Sequence, residues 1–311
     1  MRVISDDSQL RQPVCLMIGN YDGVHLGHQS IIRQARSIAE KAGIATAVLS
    51  FHPHPLRVLA PAKAPPLLQT PSQKEKLLAH FGVDYYIIKQ FDRAFSRLSP
   101  HEFVKNLKQQ VDFRHLLVGF NFRFGHRREG NVDTLRELSA PFRFDFTEIQ
   151  AYCHEDQPVS SSRIRQLVRE GAMVEAAELL ARPYFLEGTV QEGRRLGRTI
   201  GAPTANLKVT NELLPRFGVY ASWAKAKGSW YRAITNVGTS PTVDGHGARV
   251  ETHLFDFDGD LYGVDLLLCL GSYLREERKF ENIEKLSQQI HNDFKRRLAM
   301  PDRDPPSFDW W

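Results

Sequence analysis

One stretch near the start of the chain constrains its fold more than any other, namely Ile18-Gly19-Asn20-Tyr21-Asp22-Gly23-Val24-His25-Leu26-Gly27-His28. It follows an apolar run at 14–18 that is typical of a strand, and it precedes apolar residues at helical spacing that stop near Gly43. His25 and His28 are therefore predicted at a helix entrance, where unpaired backbone N–H groups and the helix dipole favour an anion. Two imidazoles three residues apart can face one phosphate, and the glycines let the backbone approach it. The alternative is a pair of solvated histidines on a loop.

The next segments alternate between strand-like and helix-like patterns. Strands are predicted at 45–49, 85–88, 115–118 and 142–149, with capping boxes that open helices at Thr70 and Ser99. This alternation is typical of βαβ units in a parallel sheet, whose ligands bind at the carboxyl ends of the strands. The histidine stretch, the loop with His52 and His54, and Asn121 all follow predicted strands. Their common placement favours a nucleotide site over scattered polar residues.

A cluster of hydroxyls and arginines, Ser160-Ser161-Ser162-Arg163-Ile164-Arg165, is predicted to open another helix. One serine is explained as the helix cap, whereas arginines beside further hydroxyls are the residue types that recognise phosphate. A short helix is predicted at 173–180, and Arg182-Pro183 follows it. We therefore place a domain boundary near Ala181, which gives domains 1–181 and 182–311.

From Tyr184 onward, short strands replace the alternating pattern. They are predicted at 185–190, 218–226, 230–237, 249–257 and 261–270, with hairpin turns at 227–229 and 258–260. Short antiparallel strands without long helices between them indicate a small barrel or sandwich. An amphipathic helix is predicted at 282–298, with its apolar residues on one stripe that can cover the barrel.

Two polar segments in this half indicate phosphate and metal chemistry. The glycine- and arginine-rich loop 193–199 lacks the lysine and the spacing of a P-loop, so it predicts only a flexible cover over phosphates. Thr204 and Asn206 are two residues apart in an extended segment, so their side chains point to the same side. Their hard oxygen donors suit Mg²⁺ bound together with nucleotide phosphates.

A carboxylate inside a predicted strand is the third candidate. Strand alternation places Glu251, His253 and Phe255 on one face of the segment 249–255. Two interpretations stay open for Glu251. It is either part of a salt bridge at the barrel rim or the general base that accepts a hydroxyl proton during phosphoryl transfer.

The composition limits the classes of partner and location. The net charge of +5 and the pI near 9.1 indicate anionic ligands, and they leave nucleotides, nucleic acid and acidic lipid open. The three cysteines are odd in number and far apart, so neither a disulfide framework nor a zinc ribbon is predicted. The first residues lack the apolar core of a signal peptide, and no apolar run has the length of a membrane span. We expect a cytoplasmic protein with no membrane partner.

Taken together, these segments resemble the bacterial bifunctional riboflavin kinase/FAD synthetase family over about residues 12–298. The matching segments occur in the order and spacing of that family: GNYDGVHLGH at 19–28, FHPHP at 51–55, GFNFRFG at 119–125, SSSRIR at 160–165, GRTIGAPTANL at 197–207, NVGTSPTV at 236–243 and ETHLFDFDGDLYG at 251–263. Any one of these segments alone is a weak signal, whereas the combination is specific.

The resemblance implies an α/β nucleotidyltransferase domain of Rossmann-like, HxGH type, followed by a small antiparallel β-barrel riboflavin kinase domain with a C-terminal helix. In the first domain it implies catalytic His25 and His28. ATP and phosphates would be bound there by Gly19, Asp22, Gly27, Asn121, Ser161, Ser162 and Arg165.

For the second domain the resemblance implies Glu251 as the catalytic base and Thr204 and Asn206 as Mg²⁺ ligands. ATP and flavin would be bound by Gly193, Gly197, Arg198, Thr204 and Asn206. The implied cofactor is Mg²⁺, with ATP as co-substrate and riboflavin, FMN and FAD as substrates and products. The implied partners are these small molecules, without nucleic acid, and the oligomeric state is open.

Four positions depart from the commonest family pattern. A histidine stands at His52 where glutamate is usual, and an asparagine stands at Asn121 where aspartate is frequent. Ala202 replaces a phenylalanine, and Ser240 stands where arginine is common. These departures bear on affinity for flavin and nucleotide rather than on the implied catalytic groups.

Two other classes of protein fit parts of the sequence. An RNA-binding protein related to class I aminoacyl-tRNA synthetases would share the HxGH element, but the chain lacks a KMSKS-like loop and an extended basic face with aromatics. A zinc hydrolase could use His25, His28, His52 and His54, but no helix presents two ligands at four-residue spacing beside a carboxylate.

Overall fold

The computed structural model describes residues 1–6, 8–192, 201–242, 245–301 and 305–306 of the chain. They form two compact units, of which the first comprises residues 1–160 and the second begins at Ser161. The division therefore precedes the boundary predicted near Ala181. Within the described ranges, no helix is long and apolar enough to cross a membrane.

The first unit contains a parallel sheet with helices between its strands. The strands are β1 (Arg2–Ile4), β2 (Leu10–Ile18), β3 (Ala45–His52), β4 (Tyr85–Gln90), β5 (Val111–Gly119) and β6 (Asp145–Ile149), followed by a small antiparallel pair, β7 (Cys153–His154) and β8 (Gln157–Pro158). The helices are α1 (Leu26–Ala42), α2 (Pro55–Leu59), α3 (Pro71–His80), α4 (Pro100–Gln110) and α5 (Val132–Phe142). The sheet order is β1-β4-β3-β2-β5-β6, and each neighbouring pair is parallel.

Local signals fix the ends of these helices. The side chains of Thr70 and Ser99 each accept a hydrogen bond from the backbone N–H three residues later, and the side chain of that later residue accepts one from the backbone N–H of the cap. Both predicted capping boxes are thus confirmed. Gly43 ends α1 in the left-handed conformation at φ 62°, where its N–H bonds to the carbonyls of Ala39 and Glu40.

The direction of chain progression reverses between β2 and β5. From β2 the chain proceeds through β3 to β4 on one side, and it later returns to add β5 and β6 on the other. In open parallel sheets, ligands bind outside the carboxyl ends of the strands at such a switch point. The turns after β2 and β5, which contain the histidine stretch and Asn121, both begin there.

This unit differs from the sequence prediction in the extent of some elements and in the presence of others. Residue 142 belongs to the end of α5, and the strand predicted from that position begins at Asp145. The edge strand β1 was not predicted, because three residues are too short to show a periodic pattern.

The second unit is a closed antiparallel barrel with helices before and after it. Helices α6 (Ser161–Glu170) and α7 (Met173–Leu180) precede the strands, and α8 (Ile283–Leu298) follows them. The strands are β9 (Tyr184–Gln191), β10 (Ala205–Val209), β11 (Gly218–Ala226), β12 (Ser229–Thr242), β13 (Gly245–Leu254) and β14 (Asp265–Arg275). They close in the order β10-β13-β12-β11-β14-β9. The predicted fold class, a parallel α/β domain followed by an antiparallel barrel and a helix, is confirmed.

The two faces of the barrel strands bury different groups. On the inner face, the Ser222 and Thr235 hydroxyls lie 2.8 Å apart, and Thr235 donates to Thr252 at 3.0 Å. On the outer face, Ile234 and Phe255 belong to an apolar cluster against which Phe294 of α8 packs. Helix α8 therefore covers the outer face, as the amphipathic pattern predicted.

One of the two predicted hairpins is present. Lys227 and Gly228 turn with positive φ angles of 48° and 85° and join the paired strands β11 and β12. The hairpin predicted at 258–260 is wrong, because the flanking strands β13 and β14 do not pair with each other. Instead, β13 lies between β10 and β12, while β14 lies between β11 and β9.

Candidate active sites

The loop from β2 to α1 has an unusual backbone. Gly23 adopts φ 87°, and the non-glycine residues Tyr21 and Val24 adopt φ 49° and 38°. Positive φ angles cost free energy in residues with a side chain and persist where the surrounding structure imposes them. The loop therefore has one defined shape, and it delivers His25 to the position directly before the helix.

The two histidines of the loop are brought together as predicted. The His25 and His28 rings stack with centroids 3.8 Å apart and planes inclined by 21°. The Tyr21 ring follows at 4.7 Å from His28. His25 is 5% exposed, whereas His28 is half-buried. A Cβ atom on Gly27 would lie 3.1 Å from the His25 ring, so glycine at this position leaves room for the stack.

Two residues after α2, Leu68 and Gln69, form hydrogen bonds with the loop between β2 and α1. The Asp22 carboxylate is 2% exposed and accepts from the Leu68 backbone N–H at 3.0 and 3.2 Å. The Gln69 amide donates to the Tyr21 carbonyl at 2.8 Å. In the structure Asp22 thus contacts backbone and shapes the loop, while its predicted contact with ATP stays a prediction.

Lys74 is a residue of this site that the sequence analysis missed. It lies on α3, and its Nζ donates to the Asn20 carbonyl at 2.8 Å and to the Ser50 hydroxyl at 3.3 Å. Burial lowers the pKa of Lys74, and the charge of Asp22 partly opposes that effect. Lys74 therefore ties the start of the histidine loop to the end of β3.

The loop after β3 also meets the histidine stretch, but in an arrangement that differs from a zinc site. His54 caps α2 by accepting from the Leu56 N–H at 3.2 Å, and its Nε2 lies 3.1 Å from the Asn20 amide. His52 is exposed. Across the parts of the chain that the structure describes, no three His, Cys, Asp or Glu side chains are grouped to bind a metal. The zinc-hydrolase hypothesis therefore has no geometric support there.

The other residues predicted for this site lie in several places. Asn121 is exposed in the turn after β5. Ser161, Ser162 and Arg165 lie in the first half of α6, within the second unit, and Arg165 is 7% exposed. Gly193, Gly197 and Arg198, predicted for the kinase half, lie outside the described residues.

In the barrel, strand pairing brings the remaining candidates side by side. Asn206 on β10 and Asn236 on β12 are both directly opposite Glu251 on the intervening strand β13. Strand partners on one face have Cβ atoms about 5 Å apart. All three residues line a cavity of about 510 Å³ on the outer face of the barrel, together with Thr204 and the apolar stripe of α8.

The surroundings of Glu251 bear on its two interpretations. The Arg249 guanidinium lies near it, with Nη1 3.6 Å from the Glu251 carboxylate. That distance is too long for a hydrogen bond, so the contact is a weak electrostatic one between partly exposed groups. The cavity position of Glu251 favours a role in chemistry over a role as a rim salt bridge.

The donor set of the cavity fits Mg²⁺. A threonine hydroxyl, an asparagine amide oxygen and a nearby carboxylate are hard ligands, and Mg²⁺ usually takes few protein ligands besides phosphates and water. Thr204 is exposed and Asn206 is half-buried, so both can reach a bound nucleotide.

An ion pair in the same cavity was also missed from the sequence. Arg275 at the end of β14 donates through Nε and Nη2 to Asp293 of α8, both at 2.8 Å. Gln289 donates to the other carboxylate oxygen at 2.8 Å. Because Asp293 is only 6% exposed, this pair fixes α8 against the strand that it covers.

Comparison with protein families finds two models that match successive parts of the chain. A model described as FAD synthetase matches residues 7–163. A model described as riboflavin kinase matches residues 180–300. The first match contains the histidine loop, and the second contains the barrel and the residues that line its cavity.

Named relatives match nearly the whole chain. A protein of Escherichia coli K12 named bifunctional riboflavin kinase/FMN adenylyltransferase is 36% identical over 296 residues, which cover 94% of this chain and 95% of that protein. A Bacillus subtilis protein with the same name is 35% identical and covers 89% of each chain. A solved structure from Streptococcus pneumoniae, described as a macrolide-efflux protein, has 28% identity and a TM-score of 0.88, with 97% of this chain and 100% of that chain covered.

Proposed function

The chain belongs to the bifunctional riboflavin kinase/FMN adenylyltransferase family, and we propose which of its residues perform each of the two reactions. The riboflavin kinase domain phosphorylates riboflavin to FMN, and the FAD synthetase domain transfers an adenylyl group to FMN. Its substrates are therefore riboflavin, FMN and ATP, and our proposal needs no nucleic-acid partner.

For the kinase reaction we assign Glu251 as the general base. Its carboxylate accepts the proton of the riboflavin 5′-hydroxyl while the hydroxyl oxygen bonds to the γ-phosphorus of ATP and ADP leaves. Asn206 and Thr204 would bind Mg²⁺, which neutralises charge on the phosphates when it is present. The observation that supports this assignment is the pairing of Glu251 with Asn206 on adjacent strands at the cavity.

For adenylylation we assign His25 and His28 to the phosphates of ATP. The FMN phosphate is ionised near neutral pH, so it can attack the α-phosphorus without a strong base, and pyrophosphate leaves. The stacked imidazoles and the N–H groups at the start of α1 stabilise the negative charge that develops. Further phosphate contacts are assigned to Gly19, Asp22, Gly27, Asn121, Ser161, Ser162 and Arg165.

Two single substitutions in the full chain test these assignments together. Glu251→Gln is expected to lower FMN formation by about 10²–10⁴-fold, since a general base contributes about that much. His28→Ala is expected to lower FAD formation from supplied FMN by about 10²–10³-fold, the usual loss for one charge-stabilising donor. The measurement is chromatographic separation of the flavins after incubation with ATP and Mg²⁺.

Each variant serves as the control for the other. Glu251→Gln should convert supplied FMN to FAD at close to the parent rate, and His28→Ala should accumulate FMN from riboflavin. Near-parent riboflavin phosphorylation by Glu251→Gln would exclude Glu251 as the base. Loss of both activities in either variant would mean that the substitution disturbs the fold rather than one reaction.

A further inference from the structure

His253 contacts elements on two sides of the kinase cavity. It lies on β13 two residues after Glu251, and both residues line the cavity. Its Nδ1 is 2.7 Å from the carbonyl oxygen of Pro203, the residue before Thr204. Its ring stacks on Phe294 of α8, with centroids 4.4 Å apart and planes inclined by 17°. A single side chain therefore touches the segment before β10 and the covering helix.

The hydrogen bond defines the state of the ring. A carbonyl oxygen can only accept, so the proton lies on Nδ1 of His253. Burial lowers the pKa of His253, and the bond to Pro203 opposes this effect to a smaller extent. The geometry of the bond therefore makes Nδ1 its donor, whether or not Nε2 also carries a proton.

This bond supports backbone that the barrel itself does not pair. The ladder between β10 and β13 begins at Ala205, which pairs with Thr252. Pro203 and Thr204 precede that ladder, so their position relative to β13 does not follow from strand pairing. The bond from His253 extends the connection to Pro203 and so restricts where Thr204 can lie.

We propose that His253 is a positioning residue of the kinase reaction, which places Thr204 for nucleotide phosphates and Mg²⁺ by donating its Nδ1 proton to Pro203. The proposal rests on the assignment of Thr204, Asn206 and Glu251 to the kinase site. The stack on Phe294 orients the ring, whereas the hydrogen bond transmits that orientation to the Thr204 segment.

Two substitutions separate the hydrogen bond from the ring contact. His253→Phe keeps an aromatic ring beside Phe294 but has no donor. His253→Asn loses the ring, yet its amide nitrogen occupies the same place on the side chain as Nδ1 and can donate to Pro203. If the hydrogen bond positions Thr204, His253→Asn is expected to be the more active kinase of the two variants. If ring packing alone matters, His253→Phe is expected to be the more active one.

Steady-state kinetics of the full chain provides the first readout. We expect His253→Phe to raise the KM for ATP by up to roughly tenfold, the upper range for one lost hydrogen bond, with a smaller change in the KM for riboflavin. His253→Asn should recover most of that loss. Conversion of supplied FMN to FAD, measured in the same samples, reports whether the chain is folded and active elsewhere.

Hydrogen exchange of the peptide around 203–207 provides a second readout that does not need turnover. We expect faster exchange in His253→Phe than in the parent chain, with His253→Asn between them. Parent-like kinetics and exchange in His253→Phe would overturn the proposal, and so would a phenylalanine variant that performs better than the asparagine variant.

Two further measurements cover the remaining outcomes. The ¹⁵N spectrum of histidine-labelled parent chain, with His253→Asn used for assignment, should show His253 protonated at Nδ1, and a proton at Nε2 alone would overturn the proposal. Glu251→Gln, assayed beside them, tests the underlying kinase site. If Glu251→Gln cannot phosphorylate riboflavin but His253→Phe is normal, only the proposal for His253 is wrong. If Glu251→Gln phosphorylates riboflavin normally, the assignment of the kinase site itself is wrong.

Discussion

The two sites proposed for this chain are built in different ways. The proposed adenylylation site centres on continuous backbone, in which positive φ angles at Tyr21, Gly23 and Val24 lead directly into the stacked His25 and His28. The proposed kinase site uses side chains from three strands, which become neighbours through the register of the barrel. The first site is thus sensitive to local backbone changes, and the second is sensitive to the alignment of distant segments.

The strongest test of this comparison separates the two units. A fragment of residues 161–311 is expected to fold and phosphorylate riboflavin without forming FAD, since every group assigned to the kinase reaction lies within it. A fragment of residues 182–311, cut at the boundary predicted from the sequence, lacks α7. That helix buries Met173, Ala176, Leu179 and Leu180, and it packs on β9 and β14.

The shorter fragment should therefore be less stable. Burial of one leucine side chain contributes about 1.5–3 kcal/mol, so loss of α7 should lower the melting temperature measured by circular dichroism by many degrees. Equal melting temperatures for the two fragments would support the boundary predicted near Ala181. A folded fragment 161–311 that makes no FMN would show that the kinase site needs the first unit.

A matched pair of helix cations, Lys74 and Arg297, gives the next largest effect. Lys74→Met removes the contacts of Lys74 with Asn20 and Ser50. It should lower FAD formation from FMN by roughly 10–100-fold, because charged hydrogen bonds contribute about 1.5–3 kcal/mol each and these position the histidine loop. Riboflavin phosphorylation in the same protein is the internal control.

Arg297→Met is the counterpart in the second unit. Arg297 is 4% exposed and donates to the carbonyls of Ala233 and Ser222, but it does not line the kinase cavity. We expect a lower melting temperature with little change in the KM for ATP. If Lys74→Met lowers only the stability and leaves FAD formation intact, the histidine loop does not depend on its contacts with Lys74 as we infer.

A smaller effect is expected from a methyl group inside the loop. Gly27→Ala places Cβ at 3.1 Å from Cε1 and 3.2 Å from Nδ1 of His25, so the stack must shift by a few tenths of an ångström. We expect FAD formation to fall by roughly tenfold, since small displacements of positioned groups lower rates strongly.

Gly43→Ala is the control for that substitution. Gly43 has φ 62° with open space around the added atom, so alanine there should cost about 1 kcal/mol of stability and leave both activities intact. A comparable loss of FAD formation in Gly27→Ala and Gly43→Ala would mean that any destabilisation of α1 lowers the activity, whether or not it displaces the histidine stack.

The smallest expected effect is a pH dependence of stability. Burial lowers the pKa of His115 in the folded chain, and nearby Asp145 partly opposes this. The unfolded chain therefore binds a proton more readily, so the stabilisation present above the unfolded pKa of about 6.5 is lost as pH falls below it. His115→Gln should flatten the decline of the melting temperature between about pH 7 and pH 5. If the melting temperature of His115→Gln declines with pH as steeply as that of the parent chain, His115 is not the cause of the decline.

The parts of the fold that the sequence predicted correctly depend on local patterns. The capping boxes at Thr70 and Ser99 and the alternation of Glu251, His253 and Phe255 involve residues within four positions of each other. Such patterns reflect helix caps and strand faces, which depend on neighbouring residues rather than on contacts with distant segments. For the same reason the local pattern around His25 and His28 predicts a helix entrance correctly.

The parts that were missed depend on contacts between distant segments. The turn at 258–260 has the composition of a hairpin, yet β13 and β14 each have two other neighbours once the barrel closes. Lys74 has the appearance of a solvated helix residue, and its partners Asn20 and Ser50 precede it by 54 and 24 positions. Neither the strand pairing around 258–260 nor the contacts of Lys74 can be predicted from residue spacing within one segment.

Strand β1 has a consequence for aggregation and for the design of expression tags. It pairs with Tyr85, Tyr86 and Ile87, and it thereby covers the outer edge of β4. An uncovered edge with aromatic and β-branched residues is a template for intermolecular strand addition. Trimming the first few residues, or fusing a tag that displaces them, would turn a central strand into an edge strand. Proteolysis near this end could therefore decrease solubility before it affects either activity.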